Sequence, residues 1–314
     1  LEVESTLAGG FDPLKGFRWD DTNSPEIIWC STFSTSTATE IAFYPREFGG
    51  NAHIAPSQDL VDAFPMKNGY PISDIRSGYD PKNPYKDRDP RFYSSIYYDG
   101  SQVIRDLNGE KMYTFEIKEG GKDAPGGTNV SPTSYYIKKF LYNGWNKTDE
   151  KVESGYRCVH MMNWTHMCLI FAEAANKVVG PVDETTFGYS AKQAIKWLRC
   201  RPSNDGVAGV GATEDPFLDE CATGADRFEE LVKNEWRVET CFEGDRYYNL
   251  RRWAKSVDDV NVDIHGAKIS AEGECQFDNI VETLKFPSLW APIPYTDIRR
   301  CANLVQNEGW ETWR

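Results

Sequence analysis

Histidine is scarce in this chain and scattered: His53, His160, His166 and His265. No H-E-x-x-H, G-x-S-x-G or P-loop pattern occurs, so the common zinc-protease, serine-hydrolase and nucleotide-binding motifs are missing. The 8 cysteines include no C-x-x-C pair and none with a histidine at finger spacing, which excludes an ordinary zinc site. Cys168 and Cys241 fall at inward helix positions as small buried hydrophobes, whereas Cys221 and Cys275 lie in loop-like sequence open to a disulfide. No apolar run reaches the roughly 18 residues a membrane span needs. Basic surplus is lacking as well. With 35 Lys+Arg against 48 Asp+Glu, net charge −13 and pI near 4.9, neither nucleic acid nor an anionic membrane is a natural partner. The opening LEVESTLAGGFDP has no basic start and no apolar segment, so it is not a signal peptide. It also lacks an initiator Met, and the expectation is a mature product or a piece of a longer protein.

What the chain has is aromatic side chains: 10 Trp, 16 Tyr and 16 Phe, many set among Gly, Pro, Asn and Asp. Aromatics in loops either pin the loop or offer flat faces to a ligand. Residues 1–154 read as a loop-rich subdomain with short strands. EIIWCSTF at 26–33 is β-prone, which makes Trp29 a core residue; Trp19 is likewise assigned to structure. RFYSSIYYDG at 91–100 is a second strand candidate, and KMYTFEI at 111–117, after Asn108-Gly109, is the returning strand of a hairpin. SQDLVDAF at 57–64 is a short helix capped by Ser57. Three prolines in 77–92 place that stretch on the surface without helix. Residues 155–314 read as a helical scaffold with an irregular tail. A helix over 158–180 stops at Gly180-Pro181, and another over 190–201 starts at Ser190. Alanines at 172, 174, 175, 191 and 194 suit a close antiparallel hairpin.

The organising stretch is 227–253. Phe228, Leu231, Val232, Val238 and Phe242 recur with a period near 3.6, and Glu235, Glu239 and Glu243 form one carboxylate row. Gly244 interrupts, and Asp245 is placed to cap a second helix carrying Tyr247, Tyr248, Leu250 and Trp253. Six acids balance six bases within the run, so ion pairing with Arg237, Arg246 and Arg251 explains the row. The catalytic alternative is weaker. A glycosidase needs carboxylates on both sides of a bond, and no histidine lies in the run to make a di-iron motif. A structural Ca²⁺ could be held by Asp80, Asn83, Asp87 and Asp89, although prolines among them favour a turn cluster; no other metal or cofactor is expected.

The run EWRVETCFEGDRYYNLRRW, the AEAAN at 172–176, the D-P-R-F at 89–92 and the closing Pro292, Ile293, Pro294, Gln306, Asn307, Gly309 and Trp310 resemble the SusD/RagB family of Bacteroidetes outer-membrane lipoproteins. The resemblance covers essentially the whole chain. Departures are Asn163 and His166 where the family has Arg and Glu, Cys301-Ala302 for Asn-Pro, and Trp236 and Asn249 for Arg and Asp. It implies a mainly α fold, a TPR-like scaffold of antiparallel helix pairs with a large loop-rich subdomain, forming one compact domain with an absent N-terminal part. That part would carry the lipidated Cys, the first helical repeats and part of the ligand site.

By the same resemblance the protein captures a glycan at the extracellular face of the outer membrane, lipid-anchored and non-catalytic, and delivers it to a SusC-like TonB-dependent transporter. A peptide-capturing member of the same fold is the alternative, and a carboxylate-dependent glycan hydrolase a more distant one. Sugar rings present apolar C–H faces ringed by hydroxyls, so a binder needs aromatic platforms beside polar rims. Two loops offer this: Tyr44, Arg46, Phe48, Asn51 and His53, and Tyr142, Asn143, Trp145 and Asn146. Tyr44, Phe48, His53 and Trp145 are the expected contact set.

Overall fold

The computed structural model describes residues 26–31, 34–35, 38–104, 112–141, 156–157, 159–201 and 214–312. Strands are β1 (Ile27–Cys30), β2 (Ser34–Thr35), β3 (Ile96–Tyr97), β4 (Gln102–Ile104), β5 (Met112–Thr114), β6 (Tyr136–Ile137), β7 (Tyr156–Arg157), β8 (His160–Asn163), β9 (Asp263–Ile269) and β10 (Cys275–Thr283). Helices are α1 (Ala38–Phe43), α2 (Gln58–Ala63), α3 (Pro90–Ser95), α4 (Trp164–Val179), α5 (Ala191–Arg199), α6 (Pro216–Cys221), α7 (Ala225–Glu239), α8 (Asp245–Trp253) and α9 (Tyr295–Arg300). All pairings are antiparallel two-stranded ribbons: β1–β8, β2–β7, β3–β6, β4–β5 and β9–β10. Helix outweighs strand, as the sequence suggests.

Ribbons this short are not stable alone. An aromatic core holds three of them, β3–β6, β4–β5 and β9–β10. Tyr44, Phe48, Phe64, Phe92, Tyr97, Phe115, Tyr135 and Tyr136 are all buried around them. Tyr97 stacks on Phe115 at 4.6 Å, and Phe64 meets Phe92 edge-on at 5.8 Å. Buried hydroxyls find partners, as they must in an apolar interior. Tyr113 donates to Asp123 at 2.7 Å, and Tyr135 to Gln58 at 2.6 Å. Ala267 and Ile269 of β9 enter the same core, so a ribbon from late in the chain completes the early one.

Several expectations shift here. The 91–100 stretch opens as helix α3, because Asp89 accepts the Arg91 N–H at 2.8 Å and Pro90 occupies the first turn. Strand begins only at Ile96. The 77–92 stretch is neither wholly on the surface nor free of helix: Arg88, Asp89 and Phe92 are buried, and α3 begins at Pro90. β4–β5 form the expected hairpin, while Asn108-Gly109 lies outside the described residues. Trp29 is 59% exposed rather than core: among the described residues β1 pairs only with β8, and Ile28 and Met161 are exposed as well. Trp19 lies outside the described residues.

The second core joins α4, α5, α6 and α7 through Leu169, Ala172, Ala194, Ile195, Leu198, Phe228 and Val232. Alanines at the α4–α5 contact let the backbones approach closely. Helix α4 starts at Trp164, later than the pattern indicates, because Asn163 caps it by accepting the His166 N–H at 3.0 Å while residues 160–163 pair as β8. Ser57 and Ser190 cap α2 and α5 as expected, accepting from Leu60 and Gln193. Gly244 takes φ 98°, a left-handed break between α7 and α8, and is itself the cap of α8 in place of Asp245. Cys168 and Cys241 are buried free thiols; Cys221 is not in a loop but a third buried free thiol, at the end of α6, and Cys275, in β10, is free as well.

In the tail, the Gln306 amide clamps Ile293 through both backbone groups, at 2.8 and 3.0 Å. Asn307 donates to Ala291 at 2.7 Å, and the Trp310 indole donates to Trp290 at 2.8 Å. The P-I-P, Q-N and G-W phrases are thereby one hydrogen-bonded unit. Gly309, at φ 86°, passes so close to the Pro287 carbonyl that a Cβ would lie 2.8 Å from its oxygen.

Candidate functional site

The carboxylate row of α7 points into the protein, between the two cores. Glu235 is fully buried, with Arg91 of α3 at 2.7 Å and Arg199 of α5 at 2.5 Å. Glu239 meets Arg91 at 2.5 Å and Arg201 at 2.9 Å. Arg91 also forks onto Asp89, and Arg199 reaches Asp215 at 2.5 Å and the Gly69 carbonyl at 2.9 Å. Burial alone would raise the Glu235 carboxyl, but Arg91 and Arg199 outweigh it and hold it at about 2. The same contest, with burial opposed by Arg201 and Arg91, leaves Glu239 below its ordinary value. Ionised, shielded and fully hydrogen-bonded, these carboxylates brace α3, α5 and α7; substrate has no access to them. The expected local partners are therefore corrected: the cations come from far along the chain, because this face of α7 looks away from Arg237, Arg246 and Arg251.

Glu243 falls outside the expected row: α7 ends at Glu239 and Phe242 turns the chain through φ 67°, so the third carboxylate is not on the helix face. Lys139 reaches it at 2.6 Å, and His166 lies 4.0 Å from it and 3.5 Å from Asp245. Single ligand atoms of His166, Glu243 and Asp245 fall within 4.8 Å of one another. The His166 Nδ1 is 2.8 Å from Asn163 Oδ1, and burial, which lowers the imidazole, is overcome by Asp245 and Glu243, which raise it. Glu243 and Asp245 are thus already faced by Lys139 and by the His166 imidazole, whose hold on a proton they strengthen. The suggested Ca²⁺ residues are engaged by protein groups: Asp80 accepts from Asn83, Asp87 pairs with Lys67 and Asp89 with Arg91.

The 44–53 loop separates the expected contact set. Tyr44 and Phe48 stack at 4.6 Å and 13° with 1% and 0% exposure, and Phe48 packs edge-on to Tyr113. They are core rather than platforms, a correction that follows from the turn folding back on itself: Ala52 N–H donates to Tyr44 O, and His53 N–H to Ala42 O. What that turn presents outward is Arg46, Asn51 and His53, all exposed, with His53 N–H also held by the Asn51 side chain at 3.2 Å. Trp145, with Tyr142, Asn143 and Asn146, lies outside the described residues.

Sequence reasoning missed one feature. With the carboxylate row turned inward, Arg237 and Arg246 are left lining a cleft of about 310 Å³ between α7, α8 and the turn at Val257–Val260, with Asn234, Leu250 and Trp253. Only the neutrality of the 227–253 run pointed to these arginines, and it pointed to the wrong partners.

A family model described as the SusD family matches residues 25–310. A SusD-like protein from Bacteroides fragilis superposes with TM-score 0.70 at 22% identity, over 95% of this chain and 59% of its own. A SusD-like carbohydrate-binding protein from the same species gives 0.65 at 18% identity, over 93% of this chain and 57% of its own. A SusD superfamily protein from Parabacteroides distasonis gives 0.53 at 17% identity, over 98% and 54%. The chain thus spans a little over half the length of these solved relatives. No curated protein matches it.

Proposed function

The chain belongs to the SusD family, and on that premise we propose that it captures a glycan at the cell surface without catalysing any reaction on it. The observation that carries this reading is the family match across residues 25–310. The buried, cation-saturated state of Glu235 and Glu239 supports it, since the carboxylate row that invites a hydrolase reading has a bracing role instead. In this proposal the captured glycan passes to a SusC-like TonB-dependent transporter in the outer membrane. The protein sits on the extracellular face through a lipid anchor, and α4–α5 and α7–α8 belong to a TPR-like scaffold. Among the described residues no helix is long and apolar enough to cross a membrane. Contact is assigned to Arg46, Asn51 and His53 at the rim, with Trp145 as the aromatic platform.

Titration with a panel of oligosaccharides, followed by intrinsic Trp fluorescence and by chromatography of the sugars afterwards, tests the reading. Saturable binding of one oligosaccharide class with every sugar recovered intact is expected. Released products would overturn the non-catalytic part, and saturable binding of peptides with none of sugars would replace the cargo.

A further inference from the structure

Among the described residues, the buried and half-buried arginines are almost all spoken for. Arg91, Arg199 and Arg201 meet carboxylates, Arg88 donates to the Pro84, Val61 and Phe64 carbonyls, and Arg251 donates to Tyr247 O while lying 3.5 Å from its ring centroid. Arg237 and Arg246 are the exceptions. Both are half-buried, both line the α7–α8 cleft, and among the described residues neither has a hydrogen bond or ion pair.

The nearby carboxylates are already committed. Glu230 takes Lys233 at 2.8 Å, and Asp259 caps the following turn by accepting the Lys255 and Ser256 N–H groups. From α2, Asp59 accepts from the His265 N–H at 2.9 Å and meets its ring at 2.8 Å, and Asp62 accepts from Gln58 at 2.7 Å. The charges of Asp59 and Asp62 act on Arg237 only from beyond contact. Burial lowers both guanidinium groups, and for Arg246 the charge of Arg237 lowers it further, to about 10. Two like charges have been brought together and partly stripped of water with no carboxylate in contact among the described residues, an arrangement that costs stability unless something else supplies the charge.

We infer that the α7–α8 cleft binds the oxyanion of an acidic saccharide, a carboxylate or a sulfate gripped by Arg237 and Arg246. Two guanidinium forks match the planar or tetrahedral oxygens of such a group, and charge-assisted bonds of this kind are about twice as strong as neutral ones. The Asn234 amide donates to Ala63 O at 2.9 Å, which fixes its orientation and leaves its oxygen to accept from a hydroxyl. Leu250 and Trp253 supply apolar wall, the indole held by its 3.0 Å bond to Glu173. At about 310 Å³ the cleft exceeds what a bare ion needs and lies at the lower end of the sizes that hold small organic ligands. The saccharide part rests on the glycan reading above; the oxyanion part rests on the cleft alone.

The test is calorimetric titration of the 314-residue chain with glucuronate, glucose and inorganic sulfate at matched ionic strength. Saturable glucuronate binding is expected, at least tenfold tighter than sulfate, with none for glucose alone. Arg246→Gln and Arg237→Gln should each weaken glucuronate at least tenfold, and Arg246→Lys should restore part of the loss. Because each Gln variant relieves repulsion, its melting temperature without ligand should not fall, which separates a lost ligand contact from a damaged fold. Absence of glucuronate binding, equal affinity for sulfate, or affinity unchanged in both Gln variants would overturn the inference. Titration of Arg246→Gln with the neutral glycan that the parent chain binds should leave that affinity intact; if the parent binds glucuronate but no neutral glycan, the glycan-capture reading fails at the loops while the cleft stands.

Discussion

Two faces of one helix, α7, carry the same kinds of residue to opposite ends. On the inward face Glu235 and Glu239 are enclosed by Arg91, Arg199 and Arg201, every charge answered at hydrogen-bonding distance. Toward α8, Arg237 and then Arg246 stand in a cleft with no hydrogen bond or ion pair among the described residues, its carboxylates Glu230 and Asp259 being engaged elsewhere. Neither a charge census nor burial alone distinguishes the two faces. Pairing does. A buried charge with partners specifies how elements dock, whereas a half-buried charge without one marks a place where an external group completes the structure.

Substitutions that break the inward face should have the largest effect. Glu235→Gln leaves Arg199 and Arg91 short of a buried counter-charge, and we expect a loss of about 3–5 kcal/mol in urea unfolding. A loss under about 1 kcal/mol would reduce the brace to an ordinary surface pair. Phe48→Ala empties the aromatic core and should cost a similar ~3–5 kcal/mol, identifying Phe48 as packing rather than ligand platform. By contrast His53→Ala, at an exposed position, should stay within roughly 0.5 kcal/mol on the same curve.

Acid sharpens the comparison further. Glu235 has a folded value of about 2 against an ordinary 4.5, so its contribution is complete above the ordinary value and drains away as pH falls through the folded one. Stability should therefore decline between about pH 4.5 and 2 more steeply in the parent than in Glu235→Gln; parallel curves would mean the carboxylate gains nothing from its arginines. His166 has the opposite sign. Raised by Asp245 and Glu243 against burial, its contribution is present below its ordinary value of 6.5 and lost as pH rises through its higher folded value. His166→Gln should flatten that smaller, alkaline-side decline. Among effects on binding rather than stability, Trp145→Ala should weaken the glycan roughly tenfold, about 1.4 kcal/mol, and unchanged affinity would remove Trp145 from the contact set.

Local signals in the sequence were legible wherever the physics is local. Ser57 and Ser190 cap helices because their hydroxyls need only the next turn, and Gly244, left-handed, opens α8, although α7 has already ended at Glu239. The family phrases are also physical units: Asp89 and Arg91 of D-P-R-F are a helix cap and a member of the brace, and Gln306 clamps Ile293. What depends on distant partners was hidden. Spacing along α7 invited pairing of Glu235 and Glu239 with arginines on the same run, but the partners arrive from Arg91, Arg199 and Arg201 on other segments. Tyr44 and Phe48 share the loop-like setting of Arg46 and His53, and nothing in composition tells which side chains a turn folds inward. Trp29 fails in the other direction: a β-prone run reads as core, yet among the described residues β1 has one neighbouring strand and Trp29 is exposed.

The difference between the two faces of α7 reduces to a sign. Thermal unfolding of Glu235→Gln and Arg246→Gln in one low-anion buffer measures it directly. The first should melt well below the parent and the second at or above it. A fall of similar size in both would contradict it, because the cleft arginines would then be part of the same brace.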